Sequence, residues 1–180
     1  MKHTKKIITI SIISFFCIFS KLSATGAGVQ LSGNPGLLIN QENIKPERFT
    51  GRVIGTIKSG RLPVAAGFGL EGGKLFSDVS YGFTAFADYY ALDLQVKNTL
   101  SLYSGFGAEG SLLTKNFNDW TVCAGARFFA GINWTMYDNY LEFYIQQNAV
   151  PGFIKDLSKS STKPAFMLGL PLEAGIRMHF

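Results

Sequence analysis

The residues of this chain able to do chemistry are few and far apart. Five carboxylates, Glu71, Asp88, Glu109, Glu142 and Glu173, and two guanidinium groups, Arg127 and Arg177, are spread over its 180 residues. Paired carboxylates suit general acid–base work and arginines suit anion binding. Each of the seven, however, stands on the polar side of a stretch in which apolar residues alternate with small or polar ones. Charges on an interior row persist only when paired or solvated, so Arg127 and Arg177 are expected among the carboxylates, with water completing their bonds. Such a row suits a proton or ion path, or an electrostatic plug that fixes strand register; the plug is the simpler reading.

Other candidate sites argue against catalysis. Beyond residue 24 the only histidine is His179, next to the last residue, and no His-Ser-acid set or metal-ligand spacing of Cys and His is present. Gly105-Phe106-Gly107-Ala108-Glu109-Gly110 has the spacing of a nucleotide loop. That fingerprint needs a helix after it, whereas here the alternation runs straight through, as inward glycines beside large neighbours would give. Cys123 has no neighbour that would activate it and reads as inert packing. The sequence points to a non-enzyme with no cofactor and no metal.

The element that must position these groups is typified by Trp120 to Trp134, WTVCAGARFFAGINW. Its even positions are all apolar and its odd ones mostly small or polar, a period of two and hence a β-strand. Fourteen rises of about 3.3 Å at a tilt of about 40° project to roughly 35 Å, enough to cross an apolar band of about 25 Å. Trp120 and Trp134, with Tyr137 just beyond, are placed as interfacial aromatics.

Seven further strands follow from the same pattern. Ala27, Val29 and Leu31 begin the first, which Asn34-Pro35-Gly36 is expected to stop before a polar connection to about Thr50. The second, Gly51 to Lys58, shows no clear phase. The third places Val64, Ala66, Phe68 and Leu70 opposite Glu71, with a turn expected at Gly72-Gly73-Lys74. The fourth starts near Val79 and changes phase beyond Tyr89, which predicts a bulge there. The fifth carries Leu100, Leu102, Phe106 and Ala108 against Glu109. After strand six, Asp138-Asn139 turns into the seventh, Leu141, Phe143 and Ile145 against Glu142, followed by a long connection from Ala149 to Lys163. The last strand, Phe166 to Phe180, has an unbroken apolar row facing Glu173 and Arg177, with Pro171 as its main irregularity.

Residues 1–24 read as a cleaved signal peptide, with Lys2, Lys5 and Lys6 before a short apolar run and Ala24 at the cleavage site. Removing this segment and its four lysines leaves 13 basic against 12 acidic residues, so the charge gives no reason to expect a nucleic-acid partner. The rest, 25–180, is one domain with a single cysteine and therefore no internal disulfide. No other stretch is long and apolar enough for a membrane helix, so a membrane protein of this sequence must be a closed barrel.

The fold expected is all-β: an eight-stranded antiparallel up-and-down transmembrane β-barrel, too narrow for a wide pore. Lipid of the outer membrane is the solvent this implies. Ligand binding then falls by elimination to the outward connections, about 33–50, 72–78, 114–119 and 149–163. In the last, Phe153 lies near Lys155, Lys159 and Lys163, a mix suited to a protein or anionic polymer, although a solvated loop is the simpler reading. The alternative is a soluble periplasmic barrel with the apolar row inward around a lipid or other apolar ligand. A narrow channel is a third.

GFTAFADYYALD at 82–93, GINW at 131–134, LEFYIQQNAVPGF at 141–153 and GLPLEAGIRMHF at 169–180 resemble a spirochaete family of small outer-membrane proteins of unassigned domain function, typified in Borrelia. The terminal Phe180, with apolar residues at every second position before it, looks like the signal read by the barrel-assembly machinery. The resemblance implies a porin-like, surface-exposed adhesin barrel. Some relatives are associated with binding a host complement regulator or matrix protein.

Overall fold

The computed structural model describes residues 24–39, 44–158 and 164–180. The signal-peptide segment up to residue 23, and Lys159 and Lys163, lie outside the described residues. Nine strands form one antiparallel sheet: β1 (Ala24–Ile39), β2 (Ile44–Ser59), β3 (Val64–Leu75), β4 (Asp78–Lys97), β5 (Leu100–Thr114), β6 (Trp120–Met136), β7 (Leu141–Asp156), β8 (Ala165–Gly169) and β9 (Leu172–His179). β8 and β9 are collinear halves of one stave that pairs with both β7 and β1, so the sheet closes into a ring of eight. This is the barrel expected from the alternation.

The ladder sets the dimensions. Following partners once around the ring, Gly28 leads through Thr56, Gly67, Phe86, Glu109, Gly125, Gly152 and Met167 back to β1 at Leu38, ten residues further on. For eight staves this stagger gives a tilt of about 40° and a radius of about 8 Å, a bore that side chains can fill. Inward glycines make room for the large groups. A Cβ on Gly67 would lie 2.4 Å from the Phe86 ring, and one on Gly175 2.4 Å from that of Tyr144.

Several strands run on through apparent breakers. β1 continues through Asn34-Pro35-Gly36 to Ile39, and β2 already begins at Ile44, so most of the expected 33–50 connection is sheet. Pro35 is tolerated because it lies opposite the break in the eighth stave. The eighth stave breaks at Leu170-Pro171, and there the Leu170 N–H donates to the Pro35 carbonyl (2.8 Å). The Pro171 carbonyl accepts from the Asn148 backbone N–H (2.9 Å) and side-chain amide (3.0 Å). Two prolines thus share a single interruption whose polar groups are met from β7 and β1.

β7 likewise continues through Pro151-Gly152 to Asp156, its ladder to β6 lapsing only at Val150 and Pro151. Phe153 and Lys155 therefore lie in a strand and not in a loop, which corrects the expected 149–163 connection. Gly72-Gly73-Lys74 belongs to β3, the turn falling at Phe76-Ser77 with Phe76 at φ +56°. The bulge in β4 falls at Ala91, between Tyr90 and Leu92. With the strands so extended, the connections 76–77 and 115–119 are short. They lie at the rim opposite Ala24 and Phe180. That rim is called distal below, and the other terminal.

Candidate functional site

The wall is inverted relative to a water-soluble protein. Val29, Leu31, Val53, Phe68, Leu70, Phe83, Phe106, Phe128, Ile145 and Leu172 are exposed on the outside, Phe68 by 62%. Buried inside are Arg48, Arg52, Glu71, Asp88, Glu109, Arg127, Glu142, Glu173 and Arg177. The candidate site is this interior, which falls into three connected clusters.

Nearest the distal rim, Glu71 projects from β3 and gathers donors from β2 and β5. Arg48 pairs with it, the Thr50 hydroxyl donates at 2.5 Å and the Ser111 hydroxyl at 2.8 Å, and Arg52 Nε stands 3.1 Å away. With its carbonyl turned inward, Asn34 accepts from Arg52 Nη2 (2.8 Å) and Arg48 Nε (3.3 Å). Arg52 then reaches across to Glu109 (2.6 Å) and so joins this cluster to the next.

At the centre is Arg127, with no exposed surface. Its guanidinium contacts Glu173 (2.6 Å), Glu109 (2.9 Å) and Asp88 (2.9 Å), three carboxylates from three staves, and stacks 4.3 Å from the centre of the Phe86 ring. Gln146 donates to Glu173 (2.8 Å) and to the Asn148 side chain (3.0 Å), and accepts from the Tyr103 hydroxyl (3.0 Å).

Toward the terminal rim, Glu142 meets Arg177 (3.0 Å), His179 Nε2 (2.7 Å) and Lys58 (3.5 Å). Arg177 also lies 3.9 Å from the centre of the Tyr144 ring. The Tyr144 hydroxyl donates to Gln30 at 2.8 Å. Tyr90, Tyr103, Phe129 and Tyr144 pack together beside this group.

All seven sequence-derived interior charges are thus brought into one connected interior. Three cations escaped sequence reading: Arg48, Arg52 and Lys58, all from β2, the strand whose phase was unreadable. With them the five carboxylates face four arginines and a lysine, whereas two arginines alone would have left three negative charges unbalanced. The excess of inward acids was the signal that cations were missing. Also missed was an apolar stopper above the Glu71 cluster: Leu75, Leu113, Cys123, Ile154 and Met167, with Leu38 and Ala165 against it. Cys123 packs here as a free thiol.

The remaining predicted positions lie outside this network. Trp120 and Trp134 end the same outer row of β6, Trp120 donating its indole N–H to the Phe117 carbonyl (3.0 Å). Tyr137 sits exposed in the β6–β7 turn at φ +54°. Phe180 stacks edge-on to Tyr140, centroids 6.2 Å apart. Phe153 is exposed on the outer wall and Lys155 is half-buried. Among the described residues no group of three or more His, Cys, Asp or Glu is arranged to hold a metal ion.

An eight-staved antiparallel ring with an apolar outer wall and an ionic interior defines a small β-barrel of the transmembrane class. Among solved structures the chain resembles neisserial surface protein A, with a TM-score of 0.52 at 14% identity over 86% of this chain and 97% of that one. Ail, the attachment invasion locus protein of Yersinia pestis, is matched with a TM-score of 0.41 at 12% identity in its complex with the heparin analogue sucrose octasulfate, over 85% of this chain and 98% of Ail. A second Ail structure gives 0.40 at 10% over 86% and 99%. At such identities the likeness is one of fold. No family model matches the chain and no curated protein matches it in sequence, so the spirochaete resemblance rests on its quoted segments alone.

Proposed function

We propose that this chain is an integral outer-membrane protein, exported through a signal peptide at residues 1–24, whose interior is a structural plug and whose exposed distal rim serves interaction and not catalysis. The observation that carries this reading is the inversion of the wall: large apolar side chains outside, and Glu71, Asp88, Glu109, Glu142 and Glu173 buried and paired inside. Burying that many charges is favoured only where the outside solvent is lipid and the apolar face cannot turn inward. The same observation weighs against a soluble lipid-binding barrel, which needs the apolar row within. The paired charges and the apolar stopper packed above them support a plug over a channel.

The terminal rim then faces the periplasm and the distal rim the exterior, with Phe180 at the end that the assembly machinery reads. Phe49, Phe117 and Leu157 stand exposed near the distal rim together with Lys115. Lys115 is paired there with Asp78, and this aromatic and charged mix suits the host complement regulator or matrix protein implied by the family resemblance. The test is mobility in SDS gels with and without boiling, on protein from a carbonate-resistant membrane fraction. A heat-dependent shift is expected; a protein soluble without detergent and showing no shift would overturn the reading.

A further inference from the structure

One strand of the barrel is left half uncovered. The β2–β3 hairpin turns at residues 60–63, so β3 covers β4 only as far as Tyr89, which pairs with Val64; the Tyr90 N–H donates to the Pro63 carbonyl at 2.7 Å. β4 runs on to Lys97, paired from there with β5 alone. Among the described residues nothing pairs with the other edge of Ala91–Lys97. All seven residues are exposed, Leu92, Leu94 and Val96 each by more than half.

Proteins ordinarily cover such an edge, because a row of free N–H and C=O groups is a template for another strand. Beside it the outer wall is indented. A cavity of about 460 Å³, lined by Ile57, Ser59, Val64, Ala66, Tyr89 and Phe106, opens where the short hairpin stops. A strand laid along the edge would abut that turn and set its own apolar residues next to the indentation.

We propose that the outer edge of Ala91–Lys97 is a β-augmentation site for an extended peptide from the aqueous compartment at the terminal rim, running antiparallel to β4. A second copy of this chain does not fit. Two barrels in one membrane point the same way, so antiparallel pairing of their β4 edges would require one to stand inverted. Related by a two-fold along the membrane normal, the edges would bring like groups face to face. The charges specify the peptide further. Asp93 and Lys97 form no ion pair among the described residues, although Lys58 and Lys115 each find a carboxylate. The fitting partner alternates apolar and polar residues and carries an acid opposite Lys97 and a base opposite Asp93.

The test uses the full barrel in lipid nanodiscs and a fluorescent peptide of alternating Val and Thr, with Glu placed to meet Lys97 and Lys placed to meet Asp93. Saturable binding is expected, with amide hydrogen exchange slowed at 91–97 and nowhere else. Asp93→Lys should weaken binding roughly fivefold, and a peptide with Glu in place of its Lys should recover the loss on that variant. The heat-dependent gel shift verifies that the variant is folded. Absence of saturation, protection at another segment, or an Asp93→Lys loss that the swapped peptide fails to recover would overturn the proposal. So would a dimer, formed through this edge, that the peptide does not displace.

Discussion

The central and the terminal ionic clusters combine carboxylates with their partners in opposite ratios. Around Arg127 three carboxylates converge on one guanidinium that water does not reach. Around Glu142 the cations Arg177 and Lys58 and the His179 imidazole converge on one carboxylate, and His179 and Lys58 keep 24% and 18% of their side-chain surface. A cation shared by several buried anions cannot be removed without leaving charge unsolvated. An anion with several donors at a wetted mouth loses one and keeps the rest. The first arrangement ties staves β4, β5, β6 and β9 to one atom group and so specifies register; the second adjusts the mouth.

The comparison breaks most plainly at its centre. Arg127→Met should cost about 3–5 kcal/mol, because Asp88 and Glu173 lose their only arginine partner in a site without water access. Denaturant unfolding in lipid vesicles, followed by tryptophan fluorescence, measures this, and a cost below that of any mouth variant would refute the central role. Glu71→Gln comes next at about 2–3 kcal/mol. It keeps the shape but can accept from only one of the Thr50 and Ser111 hydroxyls, which reach different oxygens, and it strips Arg48 of the one carboxylate it meets among the described residues, whereas Arg52 retains Glu109. The same unfolding assay should rank it between Arg127→Met and the mouth substitutions.

The fold was legible because a period of two survives any amount of divergence so long as one face meets lipid. β6 and the final stave could be phased residue by residue. Strand ends were less legible, since Asn34-Pro35-Gly36 and Pro151-Gly152 carry ordinary turn residues, and what makes them strand lies in other staves: the gap at Leu170-Pro171 and the lapsed pairs of β7 with β6. β2 was hardest. Its inward row, Arg48, Thr50, Arg52, Ile54 and Thr56, is polar enough to read as a connection until the carboxylates of β3, β5 and β7 are known to face it. Five inward acids could be counted in the sequence; which cations answered them depended on a ten-residue stagger that no single strand displays.

The smallest expected effects lie at the mouth and test the other half of the comparison. Arg177→Met removes the pairing to Glu142 at 3.0 Å and the contact with the Tyr144 ring, yet leaves Lys58 and His179 on the same carboxylate, so about 1–2 kcal/mol is expected. His179→Gln preserves a donor toward Glu142 and gives up only the imidazole, so it should cost under about 1 kcal/mol. Salt separates the two clusters more finely than substitution does. The water-touched pairs of Glu142 are screened as ionic strength rises, while Arg127 is beyond the reach of mobile ions. Raising salt should therefore shrink the cost of Lys58→Gln, which removes the 3.5 Å pair to Glu142, and leave that of Arg127→Met unchanged. An equal salt response in both variants would mean that water penetrates to the centre, and the interior would then have to be treated as a conduit and not as a plug.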